Sequence, residues 1–276
     1  LVGALELFAG PWPAITPRED SMAGESLAVF VINLDSAKAR LEKITGELHA
    51  KGIAFERVAA VDGRRLPDAA TVVSPLSRLL WPRPFLPQEI GCWLSHRKVW
   101  ERIVAERIPL ALVLEDDASP HVSYDELASI DLSRIPLDLL RVHILISNKP
   151  ILNKKIVRSG TIIAGRELVF QTNPRYSATA YLVTLAGAQK LMSRRKMLGP
   201  VDWFSLWGSL DGLRHGILLP NMFEADDDGR STIGDRTLAG WERRYRRLVK
   251  RNLLRPLDRR HARRQIRELE NPVIVE

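Results

Sequence analysis

Hydrophobic positions along the chain switch between two periods, and the switch points divide it into strands and helices. Ala28–Leu34 (Ala-Val-Phe-Val-Ile-Asn-Leu) is a near-continuous apolar run with the length of a buried strand. Asp35 or Ser36 can cap a helix whose apolar positions Leu41, Ile44 and Leu48 recur at helical spacing, and Gly52 offers its stop. Phe55–Val61 returns as a second strand and breaks at Asp62-Gly63. A strand, helix and strand in about 35 residues form a βαβ unit, which requires a parallel pair and a right-handed crossover.

Arg64–Pro87 carries Pro67, Pro75, Pro82, Pro84 and Pro87 and predicts a long loop, which in a compact domain is usually functional. Pro87-Gln88-Glu89 then opens a helix with Trp93, Trp100, Ile103 and Val104 on its apolar side. Leu110–Leu114 reads as a buried strand. Further extended segments are expected at Leu139–Ile146, Thr161–Phe170, Ala178–Val183 and Gly216–Leu219, with helices from Leu185 to Arg194 and from near Trp203. This order predicts an α/β fold with a parallel sheet.

The strand at Leu110–Leu114 runs directly into Glu115, Asp116 and Asp117. Three adjacent carboxylates repel one another, and desolvating them without a partner is costly. A hard divalent cation shared with phosphate oxygens would remove that cost, and ligands of open α/β sheets sit beyond the carboxyl ends of strands. Taken alone, the triplet could equally cap a turn or face water.

Composition adds limits. The 276 residues are 45% hydrophobic and 27% charged, ordinary for a soluble globular protein, and suffice for one domain with an appendage. The one cysteine, Cys92, excludes a disulfide within the chain, and no apolar run reaches membrane-spanning length. Net charge is +8, but twelve of the 41 basic residues lie in Trp241–Glu268 against three acids. The rest of the chain holds 29 basic and 30 acidic residues, so the positive charge belongs to the tail.

Six stretches together resemble glycosyltransferase family 25, which includes bacterial lipooligosaccharide β-galactosyltransferases. They are Val31-Ile32-Asn33-Leu34-Asp35 with Arg40, Ala60-Val61-Asp62-Gly63, and Glu89-Ile90-Gly91-Cys92-Trp93-Leu94-Ser95-His96. Leu114-Glu115-Asp116-Asp117-Ala118, Ala180-Tyr181-Leu182-Val183 and Pro200-Val201-Asp202 follow in family order. The resemblance implies a GT-A type nucleotide-sugar transferase, metal-dependent and inverting. It further implies a Rossmann-like α/β fold around a mostly parallel central sheet, and transfer of a hexose, galactose foremost, from a UDP-sugar to a lipopolysaccharide or lipooligosaccharide acceptor.

On that reading Mn²⁺, or another divalent cation, bridges Asp117 and the donor diphosphate. Glu115 or Asp116 gives a second contact or holds ribose. Ile32, Asn33 and Leu34 lie where uracil would rest, although a polar residue ending a strand needs no ligand. Arg40 could reach the diphosphate or merely face water. Asp62 and Gly63 could meet uracil or ribose, or make a turn. Ser95 and His96 stand near the donor sugar or serve the helix interior, and Cys92, Trp93 and Trp100 read as packing.

Inversion also needs a carboxylate to take the acceptor proton. Asp202 is the first choice, beside Trp203 as a wall for a sugar face, with a helix-capping role as its rival. Glu224 is the second choice. Asp226-Asp227-Asp228 could add a metal contact or form a solvated loop, and Ser231-Thr232-Ile233 resembles a late family segment with a departure at Thr232.

The expected organisation is an N-terminal extension over 1–24, with Met22 close to the biological start, a transferase domain over 25–238, and a basic helical tail over 239–276. Arginines interleaved with Trp241, Tyr245, Leu248, Leu253 and Leu254 suit an anionic membrane surface. That places the protein in the cytoplasm, peripheral on the inner face of the cytoplasmic membrane. Nucleic-acid binding through the tail is the alternative from another class, against which the near-neutral body argues. A transferase fold that binds without catalysing is the third reading.

Overall fold

A computed structural model describes residues 27–81, 83–132, 135–144, 156–171, 177–226, 244–245, 248–249 and 255–270. The expected βαβ unit opens it: β1 (Ala28–Asn33), α1 (Lys38–Ala50) and β2 (Glu56–Ala59), with β1 and β2 parallel. Arg64–Pro87 is less bare than expected. It holds two short 3₁₀ turns and the single-turn α2 (Ser77–Leu80) before α3 (Pro87–Ala105). Next come β3 (Leu110–Glu115), β4 (Ala118–Pro120), α4 (Tyr124–Ala128) and β5 (Leu139–Arg141). The chain continues with β6 (Ile156–Ile163), β7 (Arg166–Gln171), β8 (Ala180–Thr184), α5 (Leu185–Met192) and α6 (Phe204–Asp211). It ends in β9 (His215–Leu219), β10 (Phe223–Ala225) and α7 (Arg255–Glu270).

Among the described residues eight strands form one sheet in the order β2-β1-β3-β8-β5-β9-β7-β6. Six run in one direction, while β8 and β7 run against them, so the sheet is mostly parallel in strand direction. The α/β class expected from the sequence is what the protein has. One expectation needs correction: Leu139–Ile146 keeps strand pairing only to Arg141 among its described residues. Thr161–Phe170 does contain extended chain, shared between the end of β6 and most of β7. Ala164 and Gly165, both at positive φ, close a two-residue hairpin between Ile163 and Arg166. Alanine rarely adopts that conformation, so the turn gave little sequence signal.

The two faces of the sheet are buried under different helices, and strand alternation decides which residue goes where. Val29 and Val31 of β1 and Leu112 and Leu114 of β3 pack with Ile44 and Leu48 of α1. Phe30, Ile32, Ala111 and Val113 pack with Trp93, Val99, Trp100 and Ile103 of α3 on the other side.

The basic segment is docked on the body where it is described. Ala262 and Gln265 of α7 are buried, and Gln265 Oε1 accepts from the backbone N–H of His215 at 2.6 Å. The His261 ring stacks on that of His215 at 5.7 Å. Arg259, Arg260, Arg263, Arg264 and Arg267 are left exposed on the helix. Trp241, Leu253 and Leu254, like the 1–24 extension, lie outside the described residues.

Burial pushes the imidazole of His215 well below its usual pKa of 6.5, with the Arg141 charge and His261 acting the same way. An unfolded chain therefore binds a proton that the folded one refuses, so stability is full above about 6.5 and lost as pH falls below it. Asp117, described below, acts in the opposite sense, so a comparison isolates the histidine. The advantage of the protein over its His215→Phe variant in denaturant midpoint should shrink as pH drops from 7.5 to 5, Asp117 contributing equally to both. Parallel profiles would remove His215 from the acid response.

Candidate active site

The carboxylate triplet lies at the C-terminal ends of β1 and β3, and the alternation of β3 sends its first two members to opposite faces. Asp116 turns to the α1 side, where Asn33 continues the Val29–Val31 row. Asn33 Nδ2 donates to Asp116 Oδ2 at 2.8 Å and to Ala37 O at 3.1 Å. Arg40, one turn into α1, meets Asp116 Oδ1 at 3.0 Å. Arg57 from β2 locks the same corner, donating to Asn33 Oδ1 at 3.0 Å and pairing with Asp35. Burial raises the pKa of Asp116, and Asn33 and Arg40 hold the rise in check.

Glu115 turns to the α3 side. Its Oε1 lies 3.1 Å from His96 Nε2 and 3.9 Å from Cys92 Sγ. His96 Nδ1 is 2.9 Å from the Tyr181 hydroxyl, whose oxygen also accepts from Trp100 Nε1–H at 2.9 Å. Tyr181 comes from β8 opposite Val113, and so faces α3 as well.

Asp117 follows Glu115 and Asp116 and leads directly into β4. Its Oδ1 is buried and has no hydrogen-bond partner among the described residues. Burial, with Glu115 and Asp116 beside it, pushes its pKa up to about 7. A buried acceptor with no donor, in a negative setting, is where a hard cation would be held with benefit. The residues therefore fit the divalent ion, with Asp117 as the natural ligand. Asp116 is already neutralised by Arg40.

A second short sheet brings further acids to the triplet, and the strand pattern gave no hint of it. β4 leaves Asp117 directly and pairs antiparallel with β10, placing Ala225 opposite Ala118 and Glu224 opposite Ser119. Asp226 N–H then donates to Asp117 O at 2.7 Å, and the Asp226 side chain pairs with Lys43 of α1. Asp227, Asp228 and Ser231–Ile233 lie outside the described residues. Glu224 Oε1 accepts from Asn221 Nδ2 at 3.2 Å, and Oε2 is 3.9 Å from His143 Nε2. His143 Nδ1 is 2.8 Å from Ser177 Oγ. Burial lowers the His143 pKa against the pull of Glu224 and Glu115, so both acids bear on this imidazole.

The other residues singled out in the sequence fall in three places. Asp62 caps the 3₁₀ turn Gly63–Arg65 and pairs with Arg64 at 2.8 Å. Gly63 and Gly91 lie where the β2 exit crosses α3: a Cβ on Gly63 would come within 1.6 Å of Pro87 O, and one on Gly91 within 2.5 Å of Val61 O. Ser95 Oγ fastens the same crossing, donating to Gly91 O at 2.7 Å and accepting from Val61 N–H at 2.8 Å. Glu89, gripped by both terminal nitrogens of Arg83 at 2.8 Å, fixes the start of that helix. Ile32 is buried in the α3-side core and Leu34 O closes the turn to Ala37.

Asp202 precedes α6, half-buried. Its aromatic neighbour forms no sugar wall, because Trp203 is 1% exposed and packs on Trp81 at 6.0 Å. A ring so enclosed offers no face to a sugar. Cys92, read from the sequence as packing, and Tyr181, quoted there without a role, both stand at the site, as do Arg57, Lys43, His143 and Asn221, which the sequence does not mark. Only the Cys92–His96 spacing of one helical turn could have announced a pair.

The model of glycosyltransferase family 25 (LPS biosynthesis protein) matches residues 26–204, which hold both halves of the triplet's surroundings. A family 25 member from Anopheles gambiae is 27% identical over 226 residues, 77% of this chain and 35% of that one. Procollagen galactosyltransferase 1 of Danio rerio is 29% identical over 207 residues, covering 69% and 32%. A probable inactive family 25 member 3 of Bos taurus is 28% identical over 222 residues, covering 74% and 35%. The chain thus spans about a third of the length of these relatives. With more than half its length matched by the family model, the chain belongs to glycosyltransferase family 25.

Proposed function

We propose that the protein transfers a hexose, galactose foremost, from a UDP-sugar to a saccharide hydroxyl with inversion, at the C-terminal ends of β1 and β3. The observation that carries this reading is the buried, donorless Asp117 Oδ1 beside an Asp116 already held by Arg40 and Asn33. That division of labour leaves Asp117 and Glu115 for a cation. Asp117 would hold Mn²⁺ or a similar ion, with Glu115 as a second ligand. Bound there, the ion would supply positive charge for a departing diphosphate.

The residues of the chain do the rest. Asn33 and Leu34 end β1 where a nucleobase would rest, and Arg40 keeps Asp116 oriented. Glu224 takes the proton from the acceptor oxygen as that oxygen bonds to the anomeric carbon and the sugar–diphosphate bond breaks, releasing UDP. It is preferred over Asp202 because it stands on the strand paired with β4, half-exposed, with Asn221 and His143 orienting it. The Danio rerio relative's name supports galactose, and the family description supports a lipopolysaccharide-type acceptor. The bovine relative's name supports the alternative of a fold retained without activity, at a similar identity. Incubation with a panel of UDP-sugars and Mn²⁺ tests the reading. UDP release from UDP-galactose that stops on chelation is expected; release from no donor would favour the inactive alternative.

We place the enzyme at an anionic membrane surface through the exposed arginines of α7. Each such residue contributes about 1 kcal/mol near anionic lipid. Because the helix is docked, charge reversal tests this better than truncation. Arg259→Glu with Arg263→Glu and Arg267→Glu should abolish flotation with phosphatidylserine vesicles and leave UDP release unchanged. Undiminished flotation, or stronger capture by duplex DNA than by vesicles at one ionic strength, would overturn the membrane role.

A further inference from the structure

We infer that Cys92, His96 and Glu115 form a second metal site, of the soft type that takes Zn²⁺, separate from the hard-cation position at Asp117. Cys92 and His96 lie one turn apart on α3 and project from the same side of the helix. Glu115 closes on them from the end of β3. One ligand atom from each residue lies within 4.8 Å of the other two. Bonds of about 2.0–2.3 Å to a common tetrahedral centre set ligand atoms roughly 3.3–3.7 Å apart, and Glu115 Oε1 stands 3.1 Å from His96 Nε2 and 3.9 Å from Cys92 Sγ, within small side-chain adjustments of that spacing. Thiolate, imidazole and carboxylate together form a zinc donor set, whereas Mn²⁺ and Mg²⁺ prefer oxygen.

The surroundings favour occupancy. Imidazole ligands are commonly oriented by a hydrogen bond at the other ring nitrogen, and His96 Nδ1 has the Tyr181 hydroxyl at 2.9 Å. Trp100 Nε1–H fixes that hydroxyl in turn. His96 is wholly buried, so its ring cannot swing away, while Cys92 and Glu115 keep partial exposure through which an ion can enter. On binding, Zn²⁺ displaces the thiol proton of Cys92 to solvent, and His96 binds through Nε2 as the neutral tautomer that carries its proton on Nδ1, facing the Tyr181 hydroxyl. Three protein ligands leave a fourth position for water or a substrate oxygen. Filling this site also draws Glu115 away from Asp117, so zinc competes with the hard cation for one shared carboxylate.

Cobalt(II) gives a direct readout, because a thiolate bound to it adds a charge-transfer band in the near ultraviolet. Full-length protein stripped with chelator and titrated with Co²⁺ should develop that band at one equivalent, and one equivalent of Zn²⁺ should erase it. Cys92→Ser, nearly isosteric, should lose the band and bind Zn²⁺ at least tenfold more weakly against a chromophoric chelator. Its melting temperature without metal controls for folding. Asp117→Asn should keep the band, which separates this site from the one assigned to the donor diphosphate. Absence of the band from the parent protein, or its survival in Cys92→Ser, would overturn the inference. Loss in Asp117→Asn would do so too. None of these results depends on transferase activity, so the site and the proposed reaction can fail independently.

Discussion

Asp117→Asn is expected to lower sugar transfer by about three orders of magnitude or more while leaving the protein folded. The substitution keeps the side chain's shape and removes the triplet's buried carboxylate oxygen that has no hydrogen-bond donor among the described residues. It should also stabilise the fold at neutral pH. Burial and two acidic neighbours raise the Asp117 pKa to about 7, so the folded chain holds a proton that the unfolded chain has given up. Ionising this group in place opposes folding, and the opposition grows as pH rises from 3.8 through 7. The variant's advantage in denaturant midpoint should therefore be greatest above pH 7 and vanish in acid. Full activity in limiting Mn²⁺ would end the case for Asp117 as the metal ligand. A midpoint below the parent's at pH 8 would show that the carboxylate serves the fold instead.

The second large effect concerns the base. Glu224→Gln should abolish transfer to an acceptor hydroxyl yet leave UDP affinity within about twofold, since the residue acts on the acceptor and not on the leaving group. Asp202→Asn serves as the comparison. It should remain active, with whatever loss follows from disturbing the turn before α6. A dead Asp202 variant beside a live Glu224 variant would reverse the assignment and restore the order expected from the sequence. Slow donor hydrolysis by water should survive in Glu224→Gln, because water reaches the anomeric carbon without a positioned saccharide.

The parts of this molecule that were legible in the sequence are those whose signal is local. The βαβ opening, the Pro87 helix start and the strand feeding the acidic triplet each depend on a period or a cap within a dozen residues. The hairpin at Ala164-Gly165 escaped because alanine occupies a position where glycine or asparagine would have marked a turn. β10 escaped for a different reason: three residues carry no period, and its partner β4 lies about a hundred residues upstream. The site divides the same way. The triplet itself was visible, but Arg57 on Asn33, Lys43 on Asp226 and His143 on Glu224 are long-range pairs that no spacing encodes. Trp203 misled, since an aromatic next to a carboxylate reads identically whether it walls a pocket or fills a core.

The two-residue alternation at the end of β3 has a consequence for how this sequence can change. Leu112, Val113 and Leu114 can be exchanged for other apolar residues at modest cost, because each needs only volume on its own side of the sheet. Inserting or deleting one residue between Leu110 and Glu115 is a different event. It shifts the acids by half a period: a deletion brings Asp116 to the place facing His96, an insertion brings Glu115 to the place facing Arg40, and in either case both arrangements fail together although every charge is still there. Relatives should therefore differ freely in the letters of this strand and hardly at all in their number. A single-codon insertion there would be more damaging than several substitutions combined.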